Sequence, residues 1–183
     1  MGKPKVLIKA SGDLLGYKEL LDLIREKMRE GMEVVVLVGG GTDITAALRK
    51  VNPTYEPIFT PIGRRLDSPK QERVRRQELQ NNRQRMLRLL DEAGIEATVE
   101  IPYVQVGRQE VPVNADMLAA LSVHSFDRVV ICTLPERIEK KTKELETILD
   151  GFLDKVEIVA LQTTPTPTPP NPTRALYSRV PTR

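Results

Sequence analysis

Cysteine and histidine each occur once in this chain and tryptophan does not occur at all. With Cys132 alone there is no partner for an intrachain disulfide and no cysteine-cluster metal site. With His124 alone, multi-histidine metal chemistry is excluded as well. Aromatic residues reach only 4%, too few for the stacking platforms that grip single-stranded nucleic acid. No apolar run approaches the ~20 residues that a membrane-spanning helix needs. Nor does a long apolar stretch follow Met1-Gly2-Lys3-Pro4-Lys5, so no cleaved secretory signal is expected. Together these scarcities point to a reduced compartment, the cytoplasm.

What remains is a composition suited to a folded protein. The 183 residues fall in the single-domain range, with 40% hydrophobic and 29% charged. The net charge of +3 is unevenly spread. Between Arg64 and Arg88 nine basic residues face three acids, so that segment carries +6 and the rest of the chain −3. Such a segment is either a solvated helix face or a surface that attracts anions, nucleic acid among them.

Local patterns alternate between strand and helix. Val6-Leu7-Ile8 and the β-branched run Val34-Val35-Val36-Leu37-Val38 predict strands buried on both faces. Between them Leu20, Leu21, Ile24 and Met28 recur at helical spacing, with Gly31 as the stop. Thr42-Asp43 offer N-cap residues for a helix to about Arg49, and four prolines from Pro53 to Pro69 predict a surface loop. A long helix is expected from about Lys70 to Ala93, with Leu79, Met86, Leu87 and Leu90 on one side. A strand over 95–101 and a hairpin or extended excursion over 103–113, centred on Gly107, follow it. Asn114-Ala115-Asp116 caps a short helix over 117–123. Arg128 to Thr133 predicts another buried strand. A helix opening at Pro135 should bury Ile138, Leu145, Ile148, Leu149 and Phe152, and Val156 to Leu161 is the last strand. This alternation calls for an α/β fold, a mostly parallel sheet with helices on both faces, over residues 1–162. The remaining 21 residues, 163–183, hold six prolines and six threonines. They form a tail that cannot build a core and is expected to be extended, docking on a neighbouring subunit of a homo-oligomer.

Two loops carry the chemistry. Lys9-Ala10-Ser11-Gly12 closes the first strand, and Gly39-Gly40-Gly41 closes the second and opens a helix. Glycines let a ligand approach the backbone, a helix N-terminus favours an anion, and a lysine beside them adds a full charge. In open α/β sheets that place, at the carboxyl ends of the strands, is where ligands bind. Neither G-x-x-x-x-G-K-[ST] nor G-x-G-x-x-G is present. Asp116 is either a helix cap or a carboxylate turned into the crevice to hold Lys9.

The segment Ile8-Lys9-Ala10-Ser11-Gly12-Asp13-Leu14-Leu15 resembles the opening lysine motif of the amino-acid kinase superfamily, in a form close to uridylate kinases. Val36-Leu37-Val38-Gly39-Gly40-Gly41 resembles its glycine-rich motif, and Val113-Asn114-Ala115-Asp116 the Asn-Ala-Asp motif seen in acetylglutamate kinases. Gly63-Arg64-Arg65-Leu66-Asp67 and the helix after it lie where that family places its substrate-side helix. The resemblance implies a three-layer αβα sandwich and ATP-dependent phosphoryl transfer to a carboxylate, carbamate or phosphate. It implies Lys9 on the transferring phosphoryl group, with Gly12, Gly39, Gly40 and Gly41 binding the nucleotide. Asp116 would orient the lysine, Arg65 and Asn114 would meet the anionic substrate, and Mg²⁺ would accompany ATP.

Two places depart from the family pattern. Pro112 stands where acetylglutamate kinases carry a substrate-binding Asn. After Thr133 the adenine-holding segment is replaced by Leu134-Pro135-Glu136-Arg137-Ile138 and a charged helix, on which Lys140, Lys141 and Lys143 read as solvated. Three function classes follow: a compact phosphotransferase; a non-catalytic anion- or nucleotide-binding, regulatory or assembly protein on the same fold; and a nucleic-acid binder using the 64–88 helix. Cys132 in its apolar strand, His124 at a helix end, and Tyr55 and Tyr103 are expected to be packing residues.

Overall fold

In the computed structural model, residues 2–60, 63–149 and 152–162 are described. The chain opens with strand β1 (Lys5–Ala10), helix α1 (Lys18–Arg29), strand β2 (Glu33–Val38) and helix α2 (Gly41–Val51). A short ladder, β3 (Phe59–Thr60) with β4 (Gly63–Arg64), lies inside the stretch expected to be loop alone. Then come the 24-residue helix α3 (Pro69–Glu92), strand β5 (Thr98–Glu100), and the hairpin of β6 (Tyr103–Val106) and β7 (Gln109–Pro112). Helix α4 (Ala115–Leu121), strand β8 (Arg128–Thr133), helix α5 (Ile138–Ile148) and strand β9 (Val156–Ala160) complete the order.

Five strands form one all-parallel sheet in the order β5-β2-β1-β8-β9. The chain steps outward from β1 through β2 to β5, returns to the other side of β1, and steps outward again to β9. The order reverses between β1 and β8, which makes their carboxyl ends the switch point of the sheet. Val6, Ile8, Val34, Val36 and Val38 pack with Leu20 and Ile24 of α1 and Met86 and Leu90 of α3 on one face. Leu7, Leu37, Val129 and Ile131 pack with Ala119 and Ala120 of α4 and Leu145 of α5 on the other. Both faces of the sheet are covered, as strands without polar alternation require, and the result is the expected three-layer αβα sandwich.

The differences from expectation lie at element ends. Gly94, at φ +63, and a bond from the Ile95 amide to the Leu90 carbonyl fold residues 93–95 into the C-cap of α3, so β5 starts only at Thr98. Helix α2 begins one residue before Thr42, with Gly40 as N-cap and no side-chain cap of its own. Pro135 opens a 3₁₀ turn rather than α5 itself. On α5, Leu145 and its C-cap Leu149 are buried as expected, but Ile138 and Ile148 are exposed. No described helix is long and apolar enough to cross a membrane. The tail and its docking lie outside the described residues.

Met86 is fully buried where α3 meets the sheet, whereas its neighbour Gln84 is exposed. Truncating Met86 to Ala removes several packed atoms and leaves a cavity, with an expected loss of about 2–5 kcal/mol. Gln84→Ala should stay within about 0.5 kcal/mol of wild type. Equilibrium urea unfolding of the two variants checks both values.

Candidate functional site

Lys9 is the next-to-last residue of β1, paired in register with Leu37 on one side and Ile131 on the other. Its neighbours are apolar and it is only 7% exposed. Its ammonium lies 2.8 Å from Oδ1 of Asp116, in the first turn of α4. The approach is off the hydrogen-bonding direction, so this is a charge contact that leaves Oδ1 without a directed donor. The other oxygen, Oδ2, accepts from Lys141 Nζ at 2.8 Å, and Lys141 also donates to Glu144. One carboxylate therefore bridges two ammonium groups at the switch point.

The local sequence explains the placement of Asp116. Asn114 is the N-cap of α4, its side chain accepting from the Asp116 amide at 2.8 Å. That bond ends the β6–β7 hairpin and starts the helix within three residues, which fixes the direction of the carboxylate. Burial alone would raise the Asp116 pKa, but the charges of Lys9 and Lys141 outweigh it and hold the group at about 2. For Lys141 burial acts downward, yet Asp116 and Glu144 leave its pKa raised. Both members of this second pair are held in their charged forms.

The glycine loops meet beside this cluster. The Gly39 amide donates to the Ala10 carbonyl, and Nδ2 of the buried Asn82 on α3 donates to the carbonyls of Gly39 and Gly40. Gly12 sits directly against this bridge: a Cβ there would meet Asn82 Nδ2 at 2.4 Å and the Gly40 carbonyl at 2.9 Å. Gly41 has φ +58, and a Cβ on it would meet the Asp13 carboxylate at 2.7 Å. Asp13 reaches across from the turn after β1, where Oδ1 accepts from both the amide and the hydroxyl of Thr42. It thereby supplies the cap that α2 lacks locally.

An open cleft of about 1190 Å³ lies over these loops and the Lys9–Asp116–Lys141 cluster. Lys9, Gly39, Gly40, Gly41, Asn114 and Asp116 all face it, so the expected lysine, glycine and aspartate residues are brought together. Gly12 does not line the cleft; it packs beneath it. Arg65 is not in it either. Its side chain is 64% exposed and pairs with Asp67, while Arg64 turns inward to Thr45 and to the hydroxyl of Tyr55. Six cationic side chains (Lys9, Arg64, Arg75, Arg137, Lys140 and Lys141) line the cleft against three acids (Asp13, Asp116 and Glu144), so its charge favours an anionic ligand.

The 64–88 segment is not simply a solvated helix face. Arg75 is buried against Glu72, Arg83 donates from Nε to the Val99 carbonyl at 2.8 Å, and Arg76 pairs with Glu110 of the hairpin. Lys70, Arg73 and Arg88 are exposed. Cys132 is buried, and that burial pushes its thiol up to about 12, out of the range of a nucleophile. His124 packs edge-on against Phe152, and Tyr55 is buried in a small cluster with Ile44, Leu48 and Leu79.

The bridge has a pH signature. Asp116 titrates near its usual value when unfolded and at about 2 when folded. The folded state therefore binds its proton less readily, and the stabilisation is full above about pH 4 and lost as pH falls toward 2. The stability difference between wild type and Asp116→Asn should hold steady from pH 7 to about 4 and shrink by about 2 kcal/mol at lower pH. Chemical unfolding of both proteins across that range checks the slope. No protein-family model matches this chain and no curated protein matches it, so the functional reading rests on the geometry of the cleft.

Proposed function

We propose that this protein is an ATP-dependent phosphotransferase acting on a small carboxylate, carbamate or phosphate acceptor. The observation that carries the reading is the Lys9–Asp116–Lys141 bridge beside the glycine loop at the switch point of the sheet. Phosphoryl transfer asks a protein for positioning and charge neutralisation rather than covalent help. In the proposed reaction an acceptor oxygen forms a bond to the γ-phosphorus while the bond from that phosphorus to the bridging oxygen breaks. ADP leaves with the electron pair. Lys9 and Lys141 flank the charge that moves, and Asp116 holds them apart without neutralising both. Among the described residues no three His, Cys, Asp or Glu side chains are grouped to hold a metal ion. Mg²⁺ would then arrive on the nucleotide phosphates and supply charge neutralisation there.

The wall after β8 argues that the phosphates of the donor, not its base, dominate recognition. An adenine slot is apolar with a few placed polar groups. Here the cleft is bordered instead by Leu134, Arg137, Lys140, Thr147 and Ile148. The same observation favours the second reading, a non-catalytic anion-binding protein on this fold. Nucleic acid is a poorer third, since several arginines of α3 are committed to internal partners. The lone, buried Cys132 fits a reducing cytoplasm, and assembly into a homo-oligomer is part of the proposal.

By calorimetry, MgATP should bind no more than about tenfold tighter than tripolyphosphate. Phosphoryl transfer followed by ³¹P NMR across a panel of carboxylates, carbamate and phosphates should fall about a hundredfold or more in Lys9→Ala and in Lys141→Ala. Tripolyphosphate binding with no transfer to any acceptor would establish the non-catalytic reading instead.

A further inference from the structure

The two edges of the parallel sheet are treated differently. At the β5 edge the Val99 carbonyl accepts from Arg83 Nε at 2.8 Å, so a side chain of α3 closes that side. At the other edge β9 pairs with β8 alone. The Leu161 amide donates to the Thr133 carbonyl of β8, and backbone direction alternates along a strand. The amides and carbonyls of Ile158 and Ala160 therefore point outward, and among the described residues no hydrogen bond reaches them. Along this edge Val156 and Ile158 pack on the core of the α5 face and Val159 on that of the α1 face, while Glu157 is exposed. Glu157 feels the charge of Lys27 on α1, but that buried ammonium is paired with Glu26 and Glu30. Three carboxylates against one ammonium leave this corner of the edge negative.

The sequence itself supplies a segment matched to this edge. Residues 173–180 hold no proline and are bounded by Pro172 and Pro181, and beyond Gln162 there are three arginines (Arg174, Arg179 and Arg183) and no acid. We propose that residues 173–180 of one copy add as an antiparallel sixth strand to β9 of a second copy, and reciprocally, to form a two-fold dimer. With Tyr177 opposite Val159, Arg179 falls opposite Glu157 on the α1 face. Leu176 and Val180 then fall opposite Ala160 and Val156 on the other face. In that register the backbone of Leu176, Ser178 and Val180 faces β9 and meets the outward groups of Ile158 and Ala160. The connector selects a second copy over the chain's own edge. Five prolines among residues 163–172 favour an extended spacer of about 30 Å. A return to the same β9 would instead bring the two ends of that spacer within about one strand spacing, ~5 Å. Reciprocal exchange closes the assembly at two copies.

Sedimentation equilibrium of the full-length chain should show a dimer. Arg179→Glu and Glu157→Arg each set like charges opposite one another at both exchanged strands, and each should weaken dimerisation about tenfold. Glu157 is exposed, so neither change disturbs the fold of a single copy. An equal mixture of the two variants should recover wild-type association, because in the mixed dimer both strands meet an opposite charge. Docking within one chain gives no such recovery. Ser178→Pro removes an amide directed at β9 and should weaken the dimer about tenfold, whereas the Ala175 amide faces away and Ala175→Pro should stay within about twofold. Exchange of the Ile158 and Ala160 amides with deuterated water should slow about tenfold as the protein passes from monomer to dimer. No β9 residue lines the cleft, so tripolyphosphate binding should be equal in all four variants, and phosphoryl transfer is decided separately. A chain that stays monomeric to about 1 mM, charge variants that dimerise as wild type does, or a mixture no better associated than its parts overturns the exchange.

Discussion

Lys9, next to last in an apolar strand, has almost none of its surface in water, and an ammonium there is tolerated only beside a carboxylate. That requirement ties together segments far apart in the chain. Asp116 must arrive from the start of α4, which places the end of the β6–β7 hairpin over the first strand. Lys141 must arrive from α5, which holds the crossover from β8 to β9 against the same point. The two halves of the sheet, one stepping outward through β2 and the other through β9, meet at β1 and β8 with this bridge above them. Removing the carboxylate would leave two ammonium groups facing each other in a site poor in water, so the same residue organises both the fold at the switch point and the charge of the cleft.

The glycine loop depends on a second, quieter arrangement. Its carbonyls are held from below by Asn82 and its helix is capped from the side by Asp13. Neither partner is near it in sequence. Gly12 leaves room for Asn82, and Gly41 leaves room for Asp13, so each glycine serves a polar contact made by a different element. The loop is thus held in place by these contacts before any ligand arrives.

The central strands are legible because each is a short apolar run, most plainly β2, where Val34 to Val38 end at Gly39. Lys9, the glycine loop and Asp116 were legible because each stands at a strand-to-helix junction. Lys141 stands among three neighbouring lysines that read alike in sequence, although helix phase singles it out. It precedes the buried Leu145 by four residues and shares its side of α5. The same logic separates Arg64 from Arg65. In extended chain alternate residues share a side, and Arg64 goes with the half-buried Leu66 while Arg65 faces water with Asp67. On α3 the buried stripe runs Gln71, Arg75, Leu79, Asn82, Met86 and Leu90. Half of it is polar, so hydrophobic periodicity caught only the apolar members. Buried polar residues that serve a site carry no hydrophobic signal, and only the spacing to apolar neighbours reveals them.

Charge balance links the two ends of the cleft. Asp116 is shared by two lysines and Glu72 is shared between an arginine and a tyrosine hydroxyl, so neither carboxylate completes its own neighbourhood. A folded protein ordinarily resolves such an excess by adding an acid or by leaving the cation in water. Here Lys9 and Arg75 are both withdrawn from water, and Arg64 rests on an aromatic ring and two hydroxyls. The excess is therefore built into the walls on both sides of the same opening.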